Sequence, residues 1–198
     1  ERIMNLPWLA HYGSLGIIIP EFEDRPFGSF IEEHARIQPE AMAMWYVARG
    51  ISYAEYNEQA NRLANALITL GINKGDVVGI HLPNIPQYPI MLAAISKIGA
   101  IGSGISPLLA PPEVAYQIQD AGIKVVITLS ELAPVFAAMP ETPDCLKYTI
   151  VTGAADLLAP IDFALPDIKN CEVFWYLSLT QSASTEYTQI DVHWNDTF

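Results

Sequence analysis

Cysteine is scarce in this chain, and long apolar stretches are absent. Its 198 residues include 2 cysteines, Cys145 and Cys171, which lie far apart and form no CxxC pair. A cysteine-rich metal site is therefore excluded, and free thiols in a reducing cytoplasm are expected, with a single disulfide as the open alternative. No apolar run reaches the about 18 residues of a membrane-spanning helix, because Lys97 and several glycines interrupt the longest candidates. Residues 17–19 are too short an apolar core for a signal peptide, so export is not expected.

Basic residues are also few. Lys and Arg together number 10 against 22 Asp and Glu, which gives a formal net charge of −12 and an isoelectric point of about 4.5. This balance argues against non-specific binding to nucleic acid or to an anionic membrane, since both surfaces attract positive charge. The acidic residues are dispersed along the chain, as expected where surface charge simply maintains solubility.

The sequence motifs of common phosphate and metal sites are missing as well. There is no G-x-x-x-x-G-K-[ST] loop, and residues 71–76 are expected to form only a turn. The pattern from Gly102 is G-x-G-x-x-P, and it follows a helical segment, the reverse of the order in a dinucleotide-binding loop. The 4 histidines lack the spacing of metal ligands, and none neighbours a candidate nucleophile. We therefore predict no catalytic residue and no metal site in this chain.

Strand and helix patterns alternate through most of the sequence. Residues 1–26 are rich in proline and aromatic side chains and are expected to form an irregular arm, followed by an α/β subdomain over residues 27–198. Short runs of Val and Ile alternate with amphipathic segments, the pattern of a mainly parallel sheet with helices on both faces. The expected strands are residues 41–47, 51–52, 77–82, 100–105, 124–128, 148–151 and 171–176.

Capping signals predict where several helices begin and end. Ser29 and Ser52 each precede a glutamate by three residues, the spacing of a capping box. Ser130 is expected to cap a helix over residues 131–139. The apolar residues after Ser52 recur at helical spacing until Gly71, which is expected to end the clearest helix of the chain.

The carboxyl ends of the parallel strands are where we expect a ligand, because open parallel sheets bind ligands beyond that edge. His81 ends the predicted strand 77–82 and is a candidate substrate-binding residue, with a hydrogen-bonded structural histidine as the alternative. The loop SPLLAPP at residues 106–112 follows strand 100–105 at the same edge and is the second candidate. Its alternative is a plain proline-rich connection without a ligand.

Four segments together resemble the N-terminal part of the AMP-forming acyl-CoA synthetases, which are adenylate-forming enzymes. They are ISYAEYNEQANRLANAL, GINKGDVVGIHLPN, AAISKIGAIGSGISPLLAPPEV and QDAGIKVVIT, all within residues 51–128. The departures are mild: Tyr56 stands where the family has leucine, and Ala121 stands where it has serine. The segments PWLAHY (residues 7–12) and QYP (residues 87–89) make the long-chain fatty-acid–CoA ligases the most similar branch.

The resemblance implies an enzyme that uses ATP and Mg²⁺ to turn a fatty acid into acyl-AMP, and then CoA to form the thioester. The family's phosphate loop, of the type SGTTG-x-PKG, would follow Phe198, so this portion alone is expected to be inactive. The implied partners are the remainder of the polypeptide and the fatty acid, and a homo-oligomer stays open. In relatives the CoA side is formed by the loop that matches Pro107 and Leu108, although some relatives have glycine there. The alternative function is a self-contained, non-catalytic α/β module that binds a ligand or a partner.

Overall fold

The computed structural model describes residues 7–18, 23–161, 163–187 and 190–197. The first elements are α1 (Pro7–Ser14), α2 (Phe27–Ile37), β1 (Met42–Tyr46), β2 (Arg49–Ser52) and α3 (Tyr53–Thr69). They are followed by β3 (Val77–His81), α4 (Gln87–Ile98), β4 (Ile101–Gly104), α5 (Pro111–Ala121) and β5 (Ile123–Leu129). The last are α6 (Pro134–Ala137), β6 (Tyr148–Thr152), β7 (Glu172–Trp175) and α7 (Tyr176–Ser182).

The central sheet has five strands, and every neighbouring pair in it is parallel. The strand order is β4-β3-β5-β6-β7, while β1 and β2 form a separate antiparallel hairpin. The chain pairs β4 with one side of β3 and then crosses to the other side to form β5. The topological switch point therefore lies between the carboxyl ends of β3 and β5. The predicted α/β class with a parallel sheet is confirmed.

Two hydrophobic cores cover the two faces of this sheet. Along β5, Val125 and Ile127 belong to the larger core with α3 and α4, whereas Ile123 and Val126 belong to a smaller core with α5 and α6. Because side chains alternate between the faces of a strand, a strand buried on both sides needs a continuous apolar run. This requirement explains the sequence of β5, and the helices lie on both faces as predicted.

The amino-terminal arm is more regular than expected. Residues Pro7–Ser14 form helix α1, with Pro7 at the first helical position, where its fixed φ and missing N–H suit a helix start. Gly16 follows the helix with φ of 67°. No residue of α1 is buried, so this helix lies on the surface of the described structure. Residues 1–6 and 19–22 of the predicted arm lie outside the described residues.

The predicted cap at Ser29 is wrong, whereas the one at Ser52 is confirmed. Helix α2 begins at Phe27, two residues earlier than expected, and the hydroxyl of Ser29 donates to the carbonyl of Pro26 at 2.8 Å. At α3 the Ser52 hydroxyl accepts the backbone N–H of Glu55 at 3.2 Å. The helix ends as predicted at Gly71, which has φ of 80°.

The helix predicted over residues 131–139 is also largely wrong. Only Pro134–Ala137 is helical, and the Ser130 hydroxyl bonds to the carboxylate of Glu131 at 2.7 Å instead of capping. Proline has no N–H and its ring clashes with the carbonyl four residues earlier, so a helix started at residue 131 cannot continue through Pro134. The chain forms a turn before this proline and restarts at it.

Candidate functional site at the carboxyl edge of the sheet

Buried polar side chains collect at the carboxyl edge of the parallel sheet. His81 ends β3, Thr128 lies near the end of β5, and Thr152 ends β6. Gln87 begins α4, directly after the loop that leaves β3, and Asp156 follows β6. Each of these five residues is 5% exposed or less. The edge at which the sequence analysis expects a ligand is thus also where the fold retains buried polar groups.

His81 lies at the switch point but below the surface. Its Nδ1 atom is hydrogen-bonded to the hydroxyl of Thr128 at 2.8 Å, and its ring meets Phe136 edge-on, with 5.1 Å between ring centroids. Burial lowers the pKa of His81 to about 4, so the ring is neutral at physiological pH. Its Nε2 atom has no hydrogen-bond partner among the described residues. The geometry is that of a strand-end histidine held by hydrogen bonding; a substrate contact stays a prediction.

A hydrogen-bonded network joins the start of α4 to the end of β6. The amide of Gln87 donates to the Thr152 hydroxyl at 3.1 Å and to the Gly153 carbonyl at 2.9 Å. The carboxylate of Asp156 accepts from the Thr152 hydroxyl at 2.9 Å and from the Gly153 N–H at 2.8 Å. Burial raises the pKa of Asp156, although these two donors favour its charged form. The network fixes the geometry of this edge.

Several atoms of this edge have hydrogen-bonding capacity that the described residues do not use. The Oε1 atom of Gln87, the Oδ1 atom of Asp156 and the hydroxyl of Tyr176 have no partner within the described part of the chain. Tyr176 is completely buried. Unpaired buried polar atoms are rare in folded proteins and call for water, a ligand or further protein to complete them. The edge can therefore hold a polar group.

Pro107 and Leu108 lie at the tip of the turn that follows β4. The turn is closed by hydrogen bonds from the Leu109 N–H to the Ser106 carbonyl at 3.2 Å and from the Leu108 N–H to the Ser106 hydroxyl at 3.3 Å. Pro107 is exposed, and the side chain of Leu108 is 94% exposed. Within the described residues no hydrogen bond or ring contact joins this turn to His81. The turn and the histidine share one edge of the sheet.

Three polar residues of α3 hold the last turn of α7 and the segment that follows it, an arrangement that the sequence analysis missed. Asn61, Arg62 and Asn65 donate only to backbone carbonyls of residues 180–186, apart from an ion pair between Arg62 and Glu58. The acceptors are Thr180 (3.4 Å), Gln181 (3.1 Å), Ala183 (3.0 Å), Ser184 (2.9 Å), Thr185 (2.8 Å) and Glu186 (2.8 Å). We call this arrangement the carbonyl clamp. In the sequence the three donors form the set N-R-x-x-N on α3, among other polar residues of that helix.

Lys97 is a second buried polar residue in the motif segments, and its role is structural. Its side chain is 2% exposed, forms an ion pair with Glu32 of α2 and lies 5.5 Å from the ring centroid of Tyr187. Burial lowers the pKa of Lys97, while Glu32 opposes that shift. Gly28 permits the close approach of α2, because a Cβ there would lie 2.9 Å from the Cγ of Lys97. The lysine thus ties three segments together.

The described residues contain no group of three or more His, Cys, Asp and Glu side chains that could hold a metal ion. Nor is any helix in the described part of the chain long and apolar enough to cross a membrane.

Comparison with known protein families shows to which family this chain belongs. The family model described as AMP-binding enzyme matches residues 31–173, well over half of the chain. The chain belongs to the AMP-binding enzyme family. The matched range contains the donors of the carbonyl clamp as well as Lys97 and His81. The clamp, the lysine and the histidine are therefore all features of the AMP-binding portion.

The curated relatives that this AMP-binding chain matches include CoA ligases. It is 31% identical over 147 residues to a crotonobetaine/carnitine–CoA ligase of Salmonella typhimurium, covering 73% of this chain and 26% of that relative. It is 34% identical over 119 residues to the long-chain-fatty-acid–CoA ligase FadD13 of Mycobacterium tuberculosis, covering 59% and 24%. The chain therefore spans about a quarter of the length of the curated relatives that it matches.

Solved structures show the same fold. The N-terminal domain of FACL13 from Mycobacterium tuberculosis superimposes with a TM-score of 0.70 at 28% identity, covering 87% of this chain and 40% of that structure. The anthranilate CoA ligase AuaEII in complex with anthranoyl-AMP also gives a TM-score of 0.70, over 90% of this chain and 32% of its own. At 22% identity the second likeness shows the fold alone. The AMP-binding chain thus corresponds to the N-terminal portion of these ligases.

Proposed function

We propose that this chain is the N-terminal α/β portion of an ATP-dependent, AMP-forming ligase that converts a long-chain fatty acid to its CoA thioester in the cytoplasm. The observation that carries the proposal is the family match over residues 31–173. The 28% identity to the N-terminal domain of FACL13 supports it. The 34% identity to FadD13 favours a long-chain acid, although an acetyl-coenzyme A synthetase of Salmonella typhimurium is 32% identical. The comparisons thus support a CoA ligase more broadly than they support a long-chain acid as its substrate.

The residues of this chain would act by positioning. When bound, ATP would supply the adenylyl group that activates the acid, with pyrophosphate as the leaving group, and CoA would supply the thiol that takes up the acyl group as AMP leaves. In this proposal the exposed Pro107–Leu108 turn contacts CoA through apolar surface, because the turn carries no charged side chain. His81 would form part of the floor beneath the substrate pocket as a neutral ring fixed by Thr128.

The test is a competition between acids in the whole protein that carries this sequence. The protein is incubated with ATP, Mg²⁺, CoA and equal amounts of acetate, crotonobetaine, anthranilate and palmitate, and the thioesters are measured by mass spectrometry. We expect palmitoyl-CoA to dominate. A dominant acetyl, crotonobetainyl or anthraniloyl product would remove the long-chain part of the proposal while leaving the ligase. The absence of every thioester would overturn the ligase itself and favour a non-catalytic binding module.

A further inference from the structure

The chain after α7 follows a fixed course across α3 and α4. We call residues 183–187 and 190–197 the strap. The carbonyl clamp holds the first residues of the strap to α3. Further along, the Tyr187 hydroxyl donates to the Lys97 carbonyl at 2.6 Å. This carbonyl belongs to the last turn of α4, where backbone carbonyls have no partner within the helix. The strap is therefore anchored on two neighbouring helices.

A third anchor lies at the amino edge of the sheet. Lys74, in the turn before β3, donates from Nζ to the Asp191 carbonyl at 3.0 Å and forms an ion pair with Asp196 at 2.6 Å. Gly99, which ends α4, leaves room for the strap, because a Cβ there would lie 3.1 Å from the Cγ2 of Val192. Since α7 begins at the carboxyl end of β7, the strap leads from that side of the fold towards the amino edge.

Burial in the core does not explain why the strap is held so firmly. None of its described residues is buried, although Tyr187 and Ile190 pack against the larger core with part of their surface. Fixing an exposed segment costs conformational entropy that so little apolar burial does not offset, and such segments are usually the mobile parts of a fold. The donors of the clamp act on backbone carbonyls. What they fix is therefore the course of the chain rather than the side chains of the strap.

We propose that Arg62, Asn65 and Tyr187 are positioning residues of the ligase: by fixing the strap, they fix where the catalytic part of the protein lies relative to this portion. The inference rests on the proposed function, in which this chain is the N-terminal portion and is predicted to hold no catalytic residue. The strap then leads from it to the part that does. A displacement of about 1 Å between reacting groups can slow a reaction about a hundredfold, even when its cause lies far from the chemistry. The anchors of the strap thus contribute to the rate as well as to stability.

The experiment measures kcat and KM for palmitate-dependent exchange of pyrophosphate into ATP by the whole protein that carries this sequence. The main variant is Asn65→Asp. It keeps the shape of the side chain but replaces the amide that donates to the Ser184 and Glu186 carbonyls, at 2.9 and 2.8 Å, with a carboxylate that repels them. We expect kcat to fall about tenfold while KM for ATP and for palmitate changes less than about twofold, the pattern of lost alignment rather than lost binding. Tyr187→Phe, which removes only the hydroxyl, should lower kcat in the same way by a smaller factor.

Ile118→Val is the matched control. Ile118 is completely buried in the smaller core, so its truncation destabilises the fold but leaves every anchor of the strap in place. Its kcat should equal that of the natural protein at a temperature where circular dichroism shows all variants folded. A tenfold loss in Asn65→Asp beside a normal Ile118→Val supports the proposal. A natural kcat in Asn65→Asp, or equal losses in both variants, would overturn it. No exchange by the natural protein would instead overturn the proposed function, and with it the inference that rests on it.

Discussion

Replacing Arg62 with alanine is expected to release residues 180–183 from α3 and to lower the free energy of unfolding by about 3 kcal/mol. Thr180 and Gln181, two of its acceptors, belong to the last turn of α7, whose carbonyls have no partner within the helix. A guanidinium is well suited to this position because it presents several N–H groups in one plane next to the negative end of the helix dipole. Without it, the Gln181 carbonyl depends on water, whereas the Thr180 carbonyl keeps the Ala183 N–H at 3.2 Å.

The measurement combines urea denaturation with hydrogen exchange of the backbone amides of residues 180–187. Arg62→Ala should accelerate exchange in that segment, whereas Arg62→Lys should give an intermediate effect, since it keeps the charge but not the planar set of donors. Arg36→Ala is the matched control: Arg36 is an exposed arginine on α2 without an ion pair among the described residues. It should change stability by less than about 0.5 kcal/mol. Indistinguishable results for Arg36→Ala and Arg62→Ala would refute the clamp.

Stability is expected to fall by about 3 kcal/mol as the pH drops from 6.5 to 4 because of His81 alone. Burial lowers the pKa of its ring to about 4, against an ordinary value of 6.5. Above pH 6.5 the ring is neutral in both states, and its contribution to stability is fully present. Below pH 6.5 the unfolded chain binds a proton that the native ring does not, so this contribution is progressively lost as the pH falls through 4.

The matched variant for this prediction is His81→Gln, which can still bond to the Thr128 hydroxyl but does not titrate. Denaturation at several pH values should show a smaller loss of stability in the variant than in the natural protein. Asp156, whose pKa is raised by burial, contributes in the opposite direction, since its stabilising effect is lost as the pH rises, but both proteins contain it. The difference between them therefore isolates His81. An equal acid dependence in the two proteins would mean that the ring is not buried as the structure shows.

The sheet and α3 were predictable because their signals are local. Buried parallel strands require continuous Val and Ile, and α3 carries one unbroken apolar stripe that Gly71 ends. The cap at Ser29 failed because the helix had an alternative start two residues earlier, at Phe27. The helix expected after Ser130 does not form as predicted because Pro134 interrupts it. Such errors concern boundaries, where several weak preferences compete.

The candidate site was predictable only in its location. The alternation of strands and helices predicts a parallel sheet with His81 at its carboxyl edge. It does not predict the strand order that puts His81 at the switch point, and the burial of the ring depends on Phe136, which is distant in sequence. The carbonyl clamp could not be predicted from the sequence for a related reason. Its acceptors are backbone carbonyls about 120 residues further along the chain, and every residue type carries such a carbonyl. Polar residues on a helix predict exposure unless the tertiary partner is known.

The most direct test of the account is exchange of labelled pyrophosphate into ATP, measured with palmitate and Mg²⁺. This exchange reports acyl-AMP formation without requiring CoA. We predict acid-dependent exchange by the whole protein that carries this sequence, and none by residues 1–198 alone. Exchange by these 198 residues would contradict the proposal that they act only by positioning. Its absence from the whole protein with every acid would contradict the ligase function itself.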